Sequence, residues 1–279
     1  MRKKLLFVLT TLSLALFLSA CGGTTTGTSI SSTNKEAVPN DKKVIKIGAT
    51  AGPYSDQIRK GIQPALEKKG YKVELVEFND YVQPNLALVN GSIDANVFQN
   101  TTYLENFIKE HHVDLTGVIP IPTVPMGLYS KKHHSLDEVK EGTRISIPND
   151  PTNEARALGM LQKFGLIKLK PDADVLHASE KDIIENPKKI EMVPLEAAQL
   201  PRSLEDVDFA LVNGNYALAS GWKLTDAIKL EQTPKNYIIV LTVRTQDKNQ
   251  PFVKDPVEAY QSKEFNELID KEFQGFIKP

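Results

Sequence analysis

The chain has 279 residues, of which 25% are charged and 41% hydrophobic, and a formal charge of -1. That is the profile of a soluble globular protein long enough for two lobes with separate cores. Balanced charge, without a basic block interleaved with aromatics, argues against a nucleic-acid partner, and a lone cysteine, Cys21, rules out an internal disulfide framework.

The first element is a targeting segment. Arg2, Lys3 and Lys4 precede an apolar run from Leu5 to Leu18, shorter than the about 20 residues that span a bilayer. The run ends in Leu18-Ser19-Ala20-Cys21-Gly22, which resembles the bacterial lipobox, so residues 1–20 are expected to be a lipoprotein signal peptide and Cys21 to carry lipid. Removing the three leader cations would take the formal charge from -1 to about -4. Residues 21–43, rich in Gly, Thr, Ser and Asn without periodicity, read as a flexible tether. The expected location is the cell membrane, lipid-anchored and facing outside the cytoplasm.

Val44 to Thr50 reads as a buried strand. Gly52-Pro53 turns the chain and Ser55 is a candidate N-cap. Ile58, Ile62 and Leu66 then recur at helical spacing up to Gly70. Pro64 within this pattern predicts a kink or a split. Tyr71–Phe78 alternates as a strand, Pro84–Asn90 is a short helix stopped by Gly91, Ile93–Phe98 is a third strand, and a helix follows to about His111. Strand and helix alternating in this way predict a parallel sheet with crossover helices.

Ile119–Pro125 holds three prolines in seven residues and must run extended, as a crossing between lobes does. A second α/β unit begins at Arg144, where RISIPNDPTN parallels IKIGATAGP, and Val207–Asn213 parallels Ile93–Gln99. Tyr237–Val243 is a strand able to return the chain to the first lobe, and Asp255–Phe276 reads as one helix with an apolar side. The expected architecture is α/β with two parallel-sheet lobes joined by a hinge: 44–124 as lobe 1, 125–238 as lobe 2, and 239–279 returning to lobe 1. Closure is expected about Pro120–Met126 and Tyr237–Thr242.

Ligands of open parallel sheets bind beyond the carboxyl ends of the strands, here Asn79–Tyr81, Phe98–Asn100, Asn149–Arg156 and Asn213–Tyr216. In the third segment Asp150 suits an N-cap and Pro151 the first helical position. Asn153 and Arg156 then share a face. Free N–H groups at the helix start and the planar Arg156 fork make a place to hold an anion such as a carboxylate.

These residues belong to a wider pattern: Phe78-Asn79-Asp80-Tyr81, Ile93–Gln99, Tyr129–Lys132, Pro148–Asn153 with Arg156, Leu166–Leu169, Glu185–Lys188 and Gln199–Leu204. From Val44 to the C-terminus the chain resembles the MetQ/NlpA family of methionine-binding lipoproteins of bacterial ABC importers. The resemblance implies a two-lobed, type II periplasmic-binding-protein-like fold. It implies L-methionine or a close relative as ligand, and an ABC permease with its ATPase as partners. It places the ligand carboxylate on Arg156 with amides helping, Asn213 among them, and puts Tyr81 and Phe98 beside the thioether, where sulfur favours aromatic edges. The candidate ligand-binding set is Tyr81, Phe98, Gln99, Asn100, Asn153, Arg156, Asn213, Asn236 and Ile239. Two positions depart from the family: Asn100 replaces a usual His, and Ile239 replaces an Asn that contacts the amino acid, a role Asn236 is expected to take over. Arg156→Ala is expected to cost binding and far less fold stability.

A different small amino acid or a methionine-containing dipeptide is the alternative ligand. Catalysis is not expected, since the chain carries no Gly-x-Ser-x-Gly, His-Glu-x-x-His or Walker loop, and no cofactor is implied. Metal capture is a remote alternative: His111, His112, His133, His134 and His177 read as solvated surface.

Overall fold

A computed structural model of the chain describes residues 42–174 and 176–279; the leader, Cys21 and most of the tether lie outside them. Two five-stranded sheets organise the fold. The first contains β1 (Val44–Thr50), β2 (Lys72–Phe78), β3 (Ala95–Asn100), β4 (Leu115–Pro120) and a late strand, β12 (Ile239–Arg244), in the order β2-β1-β3-β12-β4. β1 runs parallel to β2 and β3, with Ile47 opposite Leu75 and Ala95. β12 is antiparallel to both its neighbours.

The second sheet contains β5 (Gly127–Tyr129), β6 (Arg144–Pro148), β9 (Glu191–Leu195), β10 (Phe209–Val212) and β11 (Lys229–Leu230), in the order β11-β5-β10-β6-β9. β7 (Lys168–Leu169) and β8 (Ile183–Glu185) form a small separate ladder. β5 is antiparallel to β10 and β11. The expected parallel-sheet lobes are mixed sheets, each with one reversed strand lying second from an edge. The reason is connectivity. β5 and β12 are the strands by which the chain enters a sheet from the other one, and only strands joined by crossover helices are held parallel. The sequence likenesses fall at equivalent places, since β1 and β6, and β3 and β10, occupy matching positions.

The helix after β1 is divided. Gly52, at φ 100°, precedes α1 (Pro53–Gln57), which passes through a π-helical turn over Ile58–Ile62 into α2 (Gln63–Lys68). Pro64 cannot donate to the preceding turn, and the wider turn accommodates it. Gly52, rather than Ser55, holds the cap position; the Ser55 hydroxyl donates back to the Gly52 carbonyl at 2.9 Å. α3 (Gln83–Val89) and α4 (Thr101–His111) cover the other face of the sheet. α5 (Pro151–Lys163), α6 (Leu200–Ser203) and α7 (Gly214–Ala219) flank the second sheet. The single C-terminal helix expected from sequence is two, α8 (Pro251–Gln261) and α9 (Lys263–Glu272). Ser262 is extended between them, and its hydroxyl accepts the Phe265 N–H at 3.1 Å as the cap of α9.

Each sheet is buried on both faces. Ile45, Ile47, Ile58, Ile62 and Leu66 pack with Phe265 and Ile269, and Leu88, Ile93, Phe98 and Phe107 fill the opposite side. Ile145, Ile147, Leu158, Leu161 and Phe209 form a core on one face of the second sheet, with Leu200, Leu204, Val207 and Tyr216 on the other. The crossing and returning segments lie side by side. The Ile121 N–H donates to the Ile239 carbonyl at 2.9 Å, the Ile239 N–H to the Thr123 hydroxyl at 2.8 Å, and the Glu231 N–H to the Met126 carbonyl at 3.0 Å. Gly214 abuts this crossing so closely that an added Cβ would stand 2.3 Å from the Pro125 carbonyl oxygen, so a side chain there would have to displace backbone. Among the described residues no helix is long and apolar enough to cross a membrane.

Candidate functional site

The start of α5 forms as its sequence dictates. Asp150 is extended and its carboxylate accepts the Asn153 N–H at 3.0 Å, with Pro151 in the first turn. Both oxygens of Asp150 also accept from the Asn153 side-chain amide at 3.0 Å. A carboxylate only accepts, so this contact fixes which end of the Asn153 amide faces it. Oδ1 of Asn153 then points the other way and accepts from Nδ2 of Asn213 at 2.9 Å. By the same logic Oδ1 of Asn213 is left as a buried acceptor, and among the described residues no donor reaches it. An unpartnered buried oxygen is costly, and it marks where a donor from outside the chain would be welcome.

One turn on from Asn153, Arg156 is buried and engaged. Its Nε donates to Oε2 of Glu231 at 2.9 Å and its Nη2 to Oε1. The two side chains are 6% and 4% exposed, and the Tyr237 ring lies 4.7 Å from the guanidinium. Glu231 also accepts the Met126 N–H at 3.0 Å and the Thr233 hydroxyl at 2.7 Å. Burial pushes the Glu231 carboxyl up, but the charge and hydrogen bonds of Arg156 outweigh it and hold the group below its usual range. Burial likewise works against the Arg156 charge, and Glu231 more than restores it. Two of the five guanidinium N–H groups are thereby used and three remain. Arg156→Ala would strand a buried carboxylate, so the expectation that it spares fold stability is corrected.

The facing wall comes from the first sheet and is aromatic. Tyr81 stacks on Phe98 at 5.9 Å and meets Tyr103 edge-on at 6.0 Å. Its hydroxyl donates to Oδ1 of Asn215 at 2.8 Å, and the Tyr216 hydroxyl donates back to the Asn79 carbonyl at 3.1 Å. Segments following strands of both sheets thus meet around a shared, largely closed space.

Of the residues singled out in the sequence, Tyr81, Phe98, Gln99, Asn100, Asn153, Arg156, Asn213 and Ile239 all border this space. Two of their polar groups are committed elsewhere. The Gln99 amide is tied to Asn85, Asn96 and Thr242, and Oδ1 of Asn100 caps α4 by accepting the Tyr103 N–H at 2.9 Å. Asn236 is not there. It opens onto a neighbouring groove along α5 and donates to the Thr102 hydroxyl at 3.0 Å, so it does not replace the amide lost at Ile239. Tyr54, Tyr103, Thr123 and Asn215 also border the space and stand outside the candidate set. Asn215 lies in the flagged segment Asn213–Tyr216, and Tyr54 lies just past β1, where the same rule for parallel sheets would have pointed to it. Thr123 and Glu231 belong to the crossing and returning segments, where nothing local marks a binding residue. His177 hydrogen-bonds Asp174 and Asn106, and His133 stacks on Phe209. Among the described residues no three His, Cys, Asp or Glu side chains converge as a metal site would need.

Comparison with known proteins gives a consistent picture. A family model described as NlpA lipoprotein matches residues 45–279. The chain is 45% identical over 238 residues to the D-methionine-binding lipoprotein MetQ of Salmonella typhi, covering 84% of this chain and 88% of that one. It is 43% identical to the protein of the same name from Escherichia coli K12, again with 84% and 88% covered. Among solved structures, a nutrient binding protein from Burkholderia cenocepacia bound to methionine superposes with a TM-score of 0.80 at 45% identity, covering 84% of this chain and 99% of that one. The methionine binding protein MetQ gives 0.80 at 42% identity, with 85% and 98% covered.

Proposed function

The chain belongs to the NlpA lipoprotein family, and from that membership we propose that it is the solute-binding lipoprotein of an ABC importer. It captures methionine or a close relative between its two lobes outside the cytoplasm and delivers it to the membrane permease and its ATPase. The observation that carries this reading is the buried juxtaposition of Arg156, with three N–H groups to offer, and the unpartnered Oδ1 of Asn213. The first suits a carboxylate and the second an ammonium. The aromatic wall of Tyr81, Phe98 and Tyr103 then faces an uncharged side chain, and a thioether gains about 0.3–1.5 kcal/mol beside such rings. Membership of the family supports binding rather than turnover.

The test is thermal unfolding with L-methionine, D-methionine, other small amino acids and methionine dipeptides. A ligand at a hundredfold its Kd stabilises by about 2.7 kcal/mol, so the cognate compound will raise Tm by several degrees. Both isomers belong in the panel, since the curated relatives carry the D form in their names. Stabilisation by another class of compound, with no response to methionine or its dipeptides, would overturn the assignment of ligand.

Ile239 bears on affinity. It borders the cavity with an apolar side chain where the resemblance implies an Asn, and Asn236 does not substitute. Ile239→Asn will tighten methionine binding. One hydrogen bond to a charged group contributes about 1.5–3 kcal/mol, or roughly ten- to a hundredfold in Kd. Calorimetric titration of the variant will show it, and unchanged affinity would remove the position from the polar contacts.

Residues 1–20 serve as the leader, 21–43 as the tether, 44–124 and 239–279 as one lobe, and 125–238 as the other. Cys21 carries the anchor, and Cys21→Ala will release or misprocess the protein. One acyl chain binds a membrane only marginally, so two or more are needed. Failure of labelled palmitate to enter the wild type would end this idea.

A further inference from the structure

Glu231 gives the cavity its charge balance, and we propose that it is a specificity-determining positioning residue that restricts the site to ligands of zero net charge. The inference rests on the reading of the cavity as an amino-acid site. Glu231 follows β11 in the segment that returns the chain to the first sheet, 75 residues from Arg156. Its carboxylate is filled from four sides: by Nε and Nη2 of Arg156, the Met126 N–H and the Thr233 hydroxyl. It is therefore not a spare contact for a ligand. It holds the guanidinium in one orientation, tied to the crossing segment at Met126, with the remaining N–H groups free for the cavity.

Its second effect is charge. Arg156 is the one cation bordering the cavity among the described residues, and Glu231 cancels it. The phenols that border or face this pair do not contribute charge. Burial pushes Tyr54, Tyr81 and Tyr103 well up, and burial also raises Tyr237 over the guanidinium. Asp150 is a further carboxyl group within electrostatic reach of Arg156. It lies outside the cavity lining, with its oxygens occupied by Asn153.

A ligand carrying a carboxylate alone would bring a net negative charge into a buried, already neutral site, next to an acceptor at Asn213 that it cannot satisfy. A zwitterion adds no net charge and supplies the missing donor. An unpaired arginine at the same place would instead welcome any small carboxylate. The counter-ion thus converts a general anion site into one that demands both ends of an amino acid.

The experiment is calorimetric titration of the full chain with methionine and with 4-(methylthio)butanoate, which keeps the carboxylate, chain and sulfur and lacks the ammonium. The wild type will prefer methionine by at least a hundredfold. In Glu231→Gln, which keeps the shape and removes the charge, that preference will fall at least tenfold, and the butanoate will bind more tightly than to wild type in absolute terms. Glu231→Asp, which keeps the charge but is too short to hold the fork, will weaken both ligands and preserve the preference. If the glutamine variant does not fold by circular dichroism, the wild-type ratio and the aspartate variant still decide. A wild type that binds both compounds within tenfold, or a preference lost in Glu231→Asp, overturns the inference while leaving the methionine reading intact. An unchanged preference in a folded Glu231→Gln does the same. A wild type that binds no amino acid at all overturns the reading, and the inference falls with it.

Discussion

Arg156→Ala will abolish tight ligand capture and destabilise the protein at the same time. Binding will weaken by about 2–5 kcal/mol, the usual cost of truncating one partner of a buried charge pair. Stability will fall by about 3–5 kcal/mol, because Glu231 is left buried without its counter-ion. The second effect separates this arginine from a surface residue that merely touches a ligand, and chemical denaturation of the ligand-free protein measures it. The deficit will depend on pH in a defined direction. The folded-state pKa of Glu231 is depressed, so the pair's contribution is fully present above the ordinary glutamate range and is lost as pH falls through the depressed value. Wild type and variant will therefore converge in stability on acidification, and a gap that stays constant down to strongly acidic pH would show that the pair does not stabilise the fold.

Phe98→Ala will cost about 3–5 kcal/mol of stability, typical of a buried phenylalanine emptied to a methyl. Its ring is packed among Leu88, Ile93, Leu104 and Phe107 and lies under both Tyr81 and Tyr103. The loss will propagate to the ligand, because those two tyrosines form the aromatic wall and would be free to tilt into the hole. Phe98→Leu keeps most of the volume and will recover most of the stability, while methionine affinity stays lower by up to about 1.5 kcal/mol for the lost sulfur–ring contact. Denaturation and titration of the two variants distinguish packing from contact. Full methionine affinity in both would place the thioether away from this wall.

The parts of the fold that could be read from sequence are those whose signal is local. β1, β2 and β3 are continuous or alternating runs long enough to show a period. Pro64 announced a disturbance in the first helix, though not that it would be a π-turn. β5 and β11, with three and two residues, are too short to carry a period, and the reversed strand in each sheet follows from chain routing that no short stretch encodes. Ser262 followed by Lys263-Glu264 was a readable cap that the apolar stripe across it concealed. At the site, the cap, proline and arginine of α5 were legible because they are neighbours. Glu231 was not, since its meaning comes entirely from a partner 75 residues away. Asn236 was misplaced for a geometric reason: the 3-10 turn Lys235–Tyr237 brings it to Thr102, while the ring of Tyr237 lies against Arg156.

The place of β12 between β3 and β4 has a consequence for how the chain is made. Among the described residues β4 has no hydrogen-bonded neighbour in its sheet other than β12, so it stays unpaired until nearly the whole chain is available to fold. The second sheet draws all its strands from the contiguous stretch Gly127 to Leu230 and can close before then. Folding should accordingly proceed from the middle of the chain outward, with the first lobe the late and vulnerable partner, exposing two open strand edges in the interval. A chain cut before Ile239 would keep every strand of the second sheet and lack the strand that joins β3 to β4 in the first.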